Sequence, residues 1–396
     1  MKDWISPEFL TAHIQHTMAF YHPRAIDESG GFFHYFKDDG TVYDTHTRHL
    51  VSSTRFVFNY AMAYRKFGVP AYKDAALHGV QFLRNAHRDV NTGGYAWLLD
   101  WNNAKGQARI IDSTNHCYGL AFVLLAYSHA LMAGWEEARD WVDETFLLME
   151  QHFWEPSAGL YADEADAQWT LGPYRGQNAN MHACEALLTA FEATGQQRFL
   201  DRAELLAHNI TRRQAALASD LIWEHYRADW SVDWDYNRHD KSNIFRPWGF
   251  QTGHLTEWAK LLLILARHRP SDWLVPRAMA LFDSAMQRGW DHTHGGLVYG
   301  FDTEGAVCDG DKYFWVQAES FAAAALLSRR TGEARYADWY ARIWNYSWTH
   351  FVDHTHGAWY RILGPDNCKL TDEKSPAGKT DYHTMGACYD VLGSLP

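Results

Sequence analysis

Reactive side chains recur at nearly the same distance beyond a small-residue turn in this 396-residue chain. Arg55 lies 24 positions after Gly31 and His116 lies 22 after Gly94. His182 and Glu319 each follow Gly159 and Gly296 by 23, and His383 follows Ala358 by 25. His254, with Glu257 three residues on, takes the corresponding place in a fourth unit. Neutral imidazoles are suited to moving a carbon-bound proton next to a carbonyl. Removing the C2 proton of an open-chain aldose leaves an enediolate, whose charge needs a nearby cation such as Arg55. Returning that proton to C1 makes the ketose, and returning it to the opposite face of C2 makes the epimer. A cyclic sugar must open first, which asks for a second acid/base pair. His254 and Glu257 share a helical face, so the carboxylate is placed to fix a ring nitrogen.

Each of these residues has a plainer reading. A histidine on an apolar helix is commonly a hydrogen-bonded core residue, and a buried arginine is equally a structural ion-pair partner. Spacing treats His254 and His383 alike, and it leaves His116 open between site and core. The chemistry itself needs no cofactor and no metal. In keeping with that, the chain has no HExxH, no CxxC pair, no GxGxxG before a helix and no P-loop. Two Asp-His-Thr-His-Gly strings, at 291–295 and 353–357, lie in different units and read as turns, since a zinc site needs three or four convergent ligands. Trp97, Trp223, Trp248 and Trp315 are candidates to stack on a sugar ring.

The elements that must position these groups repeat. Gly30-Gly31-Phe32-Phe33, Gly93-Gly94-Tyr95, Ala158-Gly159-Leu160-Tyr161, Gly295-Gly296-Leu297 and Gly357-Ala358-Trp359-Tyr360 share one signal, with a degenerate copy near Leu221-Ile222-Trp223-Glu224. Six units of roughly 60–75 residues result. An amphipathic helix comes first in each: over 135–150, Ala138, Trp141, Val142, Phe146 and Met149 keep helical spacing. A hairpin follows, as in GGFFHYF, and then a helix that is apolar nearly all round, as over 118–131 or 261–266. Six exposed and six buried helices in alternation predict an all-α fold, an (α/α)6 barrel with short β-hairpins at the N-terminal ends of the inner helices. A single catalytic domain over 1–396 is expected, although length alone suggests two or three. A linear helical solenoid is the competing architecture.

Composition narrows the partners. A net charge of −12 argues against nucleic acid, and no apolar run is long enough for a membrane span. The segment MKDWISPEFL is amphipathic and lacks a signal peptide's apolar centre. Five cysteines (Cys117, Cys184, Cys308, Cys368 and Cys388) form an odd set without paired spacing and read as reduced thiols. A cytoplasmic enzyme, monomeric or homodimeric, is expected.

The motifs around Arg55 (SSTRFVFNY), Gly176–Glu185 (GQNANMHACE), Arg246–Trp258 (RPWGFQTGHLTEW), Trp315–Glu319 (WVQAE) and Asp381-Tyr382-His383 resemble the N-acylglucosamine 2-epimerase superfamily, and within it the aldose–ketose isomerase branch of mannose isomerases. The resemblance spans essentially the whole chain. It implies an (α/α)6 barrel in which His383 shuttles the proton between C2 and C1. His254 would open the ring or serve the opposite face, supported by Glu257, and Arg55 would sit beside the reacting oxygens. Tyr118, Asn178, His182, Arg246, Trp315 and Glu319 match substrate-contacting positions. The disaccharide-acting branch tends to have histidine where this chain has Asn180, which favours a monosaccharide. The implied reaction interconverts D-mannose, or D-lyxose and related sugars, with the matching ketose through a cis-enediolate. Rivals are a sugar 2-epimerase with the same site, an inverting glycoside hydrolase using Glu319 against Asp112 or Glu185, and a non-catalytic sugar-binding module.

Overall fold

The computed structural model describes residues 3–102, 105–240, 243 and 245–395; Met1 and Lys2 of the N-terminal amphipathic stretch lie outside them. Twelve α-helices run through the described residues: α1 (Pro7–Tyr21), α2 (Leu50–Phe67), α3 (Pro70–Phe82), α4 (Cys117–Met132), α5 (Ala138–His152), α6 (Gln177–Thr194), α7 (Gln197–His208), α8 (Thr252–His268), α9 (Leu274–Gly289), α10 (Phe314–Thr331), α11 (Ala334–His350) and α12 (Tyr382–Ser394). The even-numbered helices form the inner ring. Each packs on the next around the circle, and α12 returns to α2, so the ring closes and no solenoid results. Each odd helix from α3 to α11 packs outside the inner helix before it, and α1 covers α12. The burial matches the sequence pattern. Every residue of α4 from Gly119 to Leu131 is buried, whereas α5 buries only Ala138, Val142, Thr145, Phe146 and Met149.

Short hairpins form as expected, among them Tyr35–Lys37 with Val42–Asp44 and Trp154–Glu155 with Leu160–Tyr161, and pairings between units are added to them. Within a unit the turn makes little more than one bridge, such as Ile26 with Phe32 or Trp290 with Leu297. The longest pairing is a hairpin inside one unit, Leu98–Asn102 with Gln107–Asp112. Other pairings join one unit to the next: Thr47–His49 with Leu98–Asn102, Asn115–His116 with Glu164–Ala165, Arg175–Gly176 with His225–Tyr226, Phe250–Gln251 with Gly300–Phe301, and Lys312–Tyr313 with Ile362–Leu363. Glu373–Ser375 pairs with Tyr35–Lys37 and completes the circle. Backbone amides entering a buried helix need partners, and only the neighbouring unit is close enough to supply them. The sixth turn, degenerate in sequence, is Ser219-Asp220. Both residues adopt the left-handed conformation (φ 56° and 60°) that Gly31, Gly159 and Gly296 adopt elsewhere.

A side-chain amide fastens several turns to the following inner helix. Asn180 Oδ1 accepts from Tyr161 N at 2.8 Å and its Nδ2 donates to Tyr161 O at 3.0 Å. Gln317 does the same for Leu297, at 3.0 and 2.8 Å, and Asn115 Oδ1 accepts from Tyr95 N at 3.1 Å. Adding a Cβ to Gly94 would bring it within 2.3 Å of Asn115 Oδ1, so this turn needs glycine. The two Asp-His-Thr-His-Gly strings are turns, as expected. Asp291 and Asp353 accept from the amides of the next residues and pair with the buried Lys312 (2.8 Å) and Lys374 (2.5 Å).

Burial of histidine sets the acid sensitivity of the barrel. Desolvation pushes His49 and His129 down to about 3, and His87 and His225 down to about 4. An unfolded chain titrates these imidazoles near 6.5, so below that pH it binds more protons than the folded one. Stability is therefore full above pH 6.5 and is lost as pH falls towards 4, by about 1.4 kcal/mol per pH unit for each group. Thermal unfolding followed by circular dichroism should show Tm dropping continuously from pH 6.5 to 4; a flat Tm across that window would contradict the assignment.

Candidate active site

A cavity opens at the N-terminal ends of the inner helices, and every inner helix contributes to it. Arg55 comes from α2, Tyr118 from α4, Asn178 and His182 from α6, His254 and Glu257 from α8, Trp315 from α10 and His383 from α12. Phe245, Pro247, Tyr299, Tyr313, Arg361 and the segment 376–379 complete the wall. The equal offsets read from the sequence resolve into two tiers. Tyr118, Asn178, Trp315 and His383 are the second residues of their helices, while Arg55, His182, Glu257 and Glu319 are the sixth. Four residues separate the tiers along each helix, about one turn. His116 belongs to neither: it precedes α4, packs 4.2 Å from the Trp97 ring and lies 3.7 Å from Glu164.

Two imidazoles on the cavity wall are held from behind by carboxylates. His383 Nδ1 lies 2.7 Å from Glu319 Oε1, and His254 Nδ1 lies 2.9 Å from Glu224 Oε1. A carboxylate only accepts, so each pair places the ring proton on Nδ1 and leaves Nε2 with its lone pair for the cavity. The second pair is oriented in turn. Trp258 Nε1 can only donate, and it does so to Gln177 Oε1 at 2.7 Å. That fixes the amide of Gln177, whose Nε2 donates to Glu224 Oε2 at 2.9 Å. Trp315 borders both imidazoles, its ring 5.1 Å from His254 and 5.7 Å from His383. It fits there because residue 253 is glycine: a Cβ would come within 2.3 Å of the indole.

Glu257 is therefore not the partner of His254. It lies one turn deeper, its Oε1 3.8 Å from His182 Nδ1, and neither of its oxygens has a hydrogen-bond partner among the described residues. Burial, with Glu319 and Glu185 nearby, raises its pKa well above the usual carboxyl range, so it stands in the cavity as a neutral acid. Glu185 behaves oppositely. Burial works against its charge, but hydrogen bonds from His182 (3.0 Å) and Tyr382 (2.5 Å) and the charge of Lys260 hold it as an anion. Burial drives His383 well below its ordinary pKa, with Arg55 and His182 adding to the effect, so it is a neutral base at pH 7. Two triads, His182–Glu185–Glu257 and Glu257–Glu319–His383, bring metal-ligand atoms within 4.8 Å of one another. Apart from Glu257, which is common to both, their carboxylates are already engaged internally: Glu319 is bound to His383 and Lys260, and Glu185 to His182 and Tyr382.

Of the cations on the cavity wall, Arg361 lies 3.7 Å from Glu373 and Lys379 pairs with Asp381, whereas Arg55 has no carboxylate in ion-pair contact among the described residues. It donates to Gly378 O at 2.5 Å and to Tyr118 OH at 3.2 Å, and its guanidinium lies 4.4 Å from the Phe122 ring. No carboxylate neutralises it among the described residues, which sets aside the structural ion pair. His383 is the second residue of α12, whose N-cap Asp381 is a buried residue in the left-handed conformation (φ 53°) that accepts from Lys379 Nζ and Tyr21 OH, both at 2.6 Å. Such strain is tolerated where surrounding contacts over-determine the backbone.

Eight of the ten expected site residues line the cavity. Glu319 lies behind His383, and Arg246 faces an adjoining recess, where it pairs with Glu164 at 2.5 Å and lies over the Tyr174 ring. Asn180 clamps a turn and does not reach the cavity, so its identity carries no direct information on substrate size. Sequence reasoning missed Glu224 and Lys260. Glu224 was hidden in the degenerate turn, whereas a lysine inside the apolar run Ala259–Leu263 was a visible signal.

The chain matches the N-acylglucosamine 2-epimerase family over residues 31–387. It belongs to that family. It is 58% identical over 392 residues to the D-mannose isomerase of Marinomonas mediterranea, covering 98% of both chains, and 39% identical to that of Thermobifida fusca over 75% of this chain and 73% of the relative. A crystal structure of a D-mannose isomerase superposes with a TM-score of 0.97 at 57% identity, covering both chains fully. Family membership and the (α/α)6 barrel thus agree with the sequence reading, and the chain is an isomerase of this family. The protonation of Glu257 is open to direct measurement. Infrared difference spectra at pH 7 should contain a protonated-carboxyl C=O band that disappears in Glu257→Gln; its persistence in the variant would assign the band elsewhere.

Proposed function

We propose that the enzyme interconverts D-mannose and D-fructose, with His383 and His254 as its proton-transfer groups. The observation that carries this reading is the pair of carboxylate-backed imidazoles facing one cavity that also holds Arg55. His254 Nε2 takes the proton of the anomeric hydroxyl while a proton is supplied to the ring oxygen, with the neutral Glu257 in the cavity as an acid, and the pyranose opens. His383 Nε2 then removes the C2 proton. Electrons move from the C2–H bond into a C1–C2 double bond, and negative charge develops on O1 beside the Arg55 guanidinium and the Tyr118 hydroxyl. The same imidazolium returns the proton to C1 while the O2 proton passes to O1, giving the C2 ketone and the C1 hydroxyl. Epimerisation would require return to the opposite face of C2.

Isomerisation is favoured because the full-length relative at 58% identity is a D-mannose isomerase. The hydrolase reading needs two opposed carboxylates on the cavity. Glu319 is bound to His383 and Lys260, Glu185 lies behind His182, and Asp112 lines the adjoining recess. Placement in the cytoplasm fits the buried, unpaired Cys117, Cys184 and Cys388 and a set of described helices none of which is long and apolar enough to cross a membrane.

D-mannose incubated in D2O should yield fructose carrying deuterium, followed by NMR. His383→Ala should abolish the exchange, and Glu224→Gln should lower kcat about 100-fold by loosening the tautomer of His254. Early glucose as the main product would make the enzyme a 2-epimerase with the same site. Because burial disfavours the imidazolium of His383, the base form persists below the titration of a free imidazole, so the acid limb of kcat/KM should fall below pH 6.5. A limb at or above that pH would contradict the buried neutral base.

A further inference from the structure

Lys260 occupies a place that an apolar barrel does not tolerate without reason. It lies on α8, six residues beyond His254 and three beyond Glu257, and is 3% exposed. Its Nζ is 2.6 Å from Glu319 Oε2 and 3.4 Å from Asp390 Oδ2. Glu319 holds His383 Nδ1 with its other oxygen, so one line of contacts runs from the cavity through His383, Glu319 and Lys260 to Asp390. Asp390 lies in a second cavity on the far side of this cluster, which Lys260, Glu319 and His383 also line.

The charges around this line are unbalanced. Glu185 and Glu257 face it along with Glu319 and Asp390, while the neighbouring cations are Arg55 and Arg267 and the neighbouring imidazoles are His182 and His383. Lys260 is the one lysine or arginine in ion-pair contact with any of these four carboxyls among the described residues. Burial raises Glu319, and Lys260 is the largest influence opposing that. The protonation of Glu319 decides what His383 can do. As an anion it accepts from Nδ1–H, and the Nε2 lone pair faces the cavity. As a neutral acid it donates its O–H to Nδ1, the ring proton moves to Nε2, and the base is lost.

We propose that Lys260 is a positioning residue that keeps Glu319 ionised and thereby sets His383 in the tautomer able to accept a carbon-bound proton. The proposal rests on His383 acting as the base, as argued above, and Lys260 itself never meets the sugar.

The test uses the full chain as Lys260→Met, Lys260→Arg, Glu319→Gln and the Lys260→Met/Glu319→Gln double variant. Lys260→Met should lower kcat about 100-fold with KM within about threefold. Its acid limb should move to higher pH, since removing the cation makes Glu319 easier to protonate. Lys260→Arg should retain most activity. In the Glu319→Gln background Lys260→Met should cost nothing further, because an amide has no charge to hold. Nitrogen-15 NMR of the His383 ring reads the tautomer without substrate, so a wrong choice of sugar leaves this arm intact: Nδ1–H in the wild type, Nε2–H in Lys260→Met. Unchanged pH profile and tautomer in Lys260→Met, or an additive loss in the double variant, would overturn the proposal. Should Lys260→Met fail to fold, the wild type decides alone, since an Nε2–H tautomer at pH 7 overturns it and an Nδ1–H tautomer supports it.

Discussion

An imidazole is a directed base only while something holds the proton on its far nitrogen, and in this barrel buried carboxylates provide that hold. Glu319 behind His383 and Glu224 behind His254 are each 3% exposed or less. In so dry a setting a charge-assisted hydrogen bond is strong, and an unpaired carboxylate is costly. Much of the interior polar architecture follows. Glu319 needs Lys260 on its other oxygen, Glu224 needs the amide of Gln177, and Gln177 is turned the right way by the indole of Trp258. Glu257, whose two oxygens have no hydrogen-bond partner among the described residues, responds with a pKa raised well above the usual carboxyl range. A single low-dielectric cluster therefore contains a lysine, an anionic glutamate pair and a neutral acid, each in the charge state that its neighbours impose.

The ring makes this economical to build. Each of six units delivers one helix N-terminus to a common mouth, so a cavity wall of eight reactive or polar side chains requires only one or two per helix. The partial positive charge of those N-termini adds to Arg55 where an oxyanion would form. The amides of Asn115, Asn180 and Gln317 tie the turns to the start of three inner helices, which is why the distance from turn to functional side chain repeats so closely. Asn180 serves as a caution. A residue within a functional motif can be held there by the turn it fastens, with no contact to the cavity.

The sequence by itself determined the repeat, the alternation of amphipathic and wholly apolar helices, and hence the closed double ring. These depend on period and composition, which are properties of the chain alone. The fixed distance from turn to helix start marked Arg55, His116, His182, His254 with Glu257, Glu319 and His383, whereas Tyr118, Asn178 and Trp315 were reached through the resemblance of their motifs to the family. Which residues pair was decided by the tertiary structure. Glu257 shares a helical face with His254, yet the carboxylate at 2.9 Å comes from Glu224, thirty residues upstream in the preceding turn segment. Tyr382 meets Glu185 across 197 positions, and Lys260 meets Glu319 from a different helix. The pairing of Glu373–Ser375 with Tyr35–Lys37 likewise exists only once the ring has closed. Hydrogen bonds and ion pairs act over about 3 Å, and neighbours at that range are set by how helices pack around an axis, which local spacing does not encode.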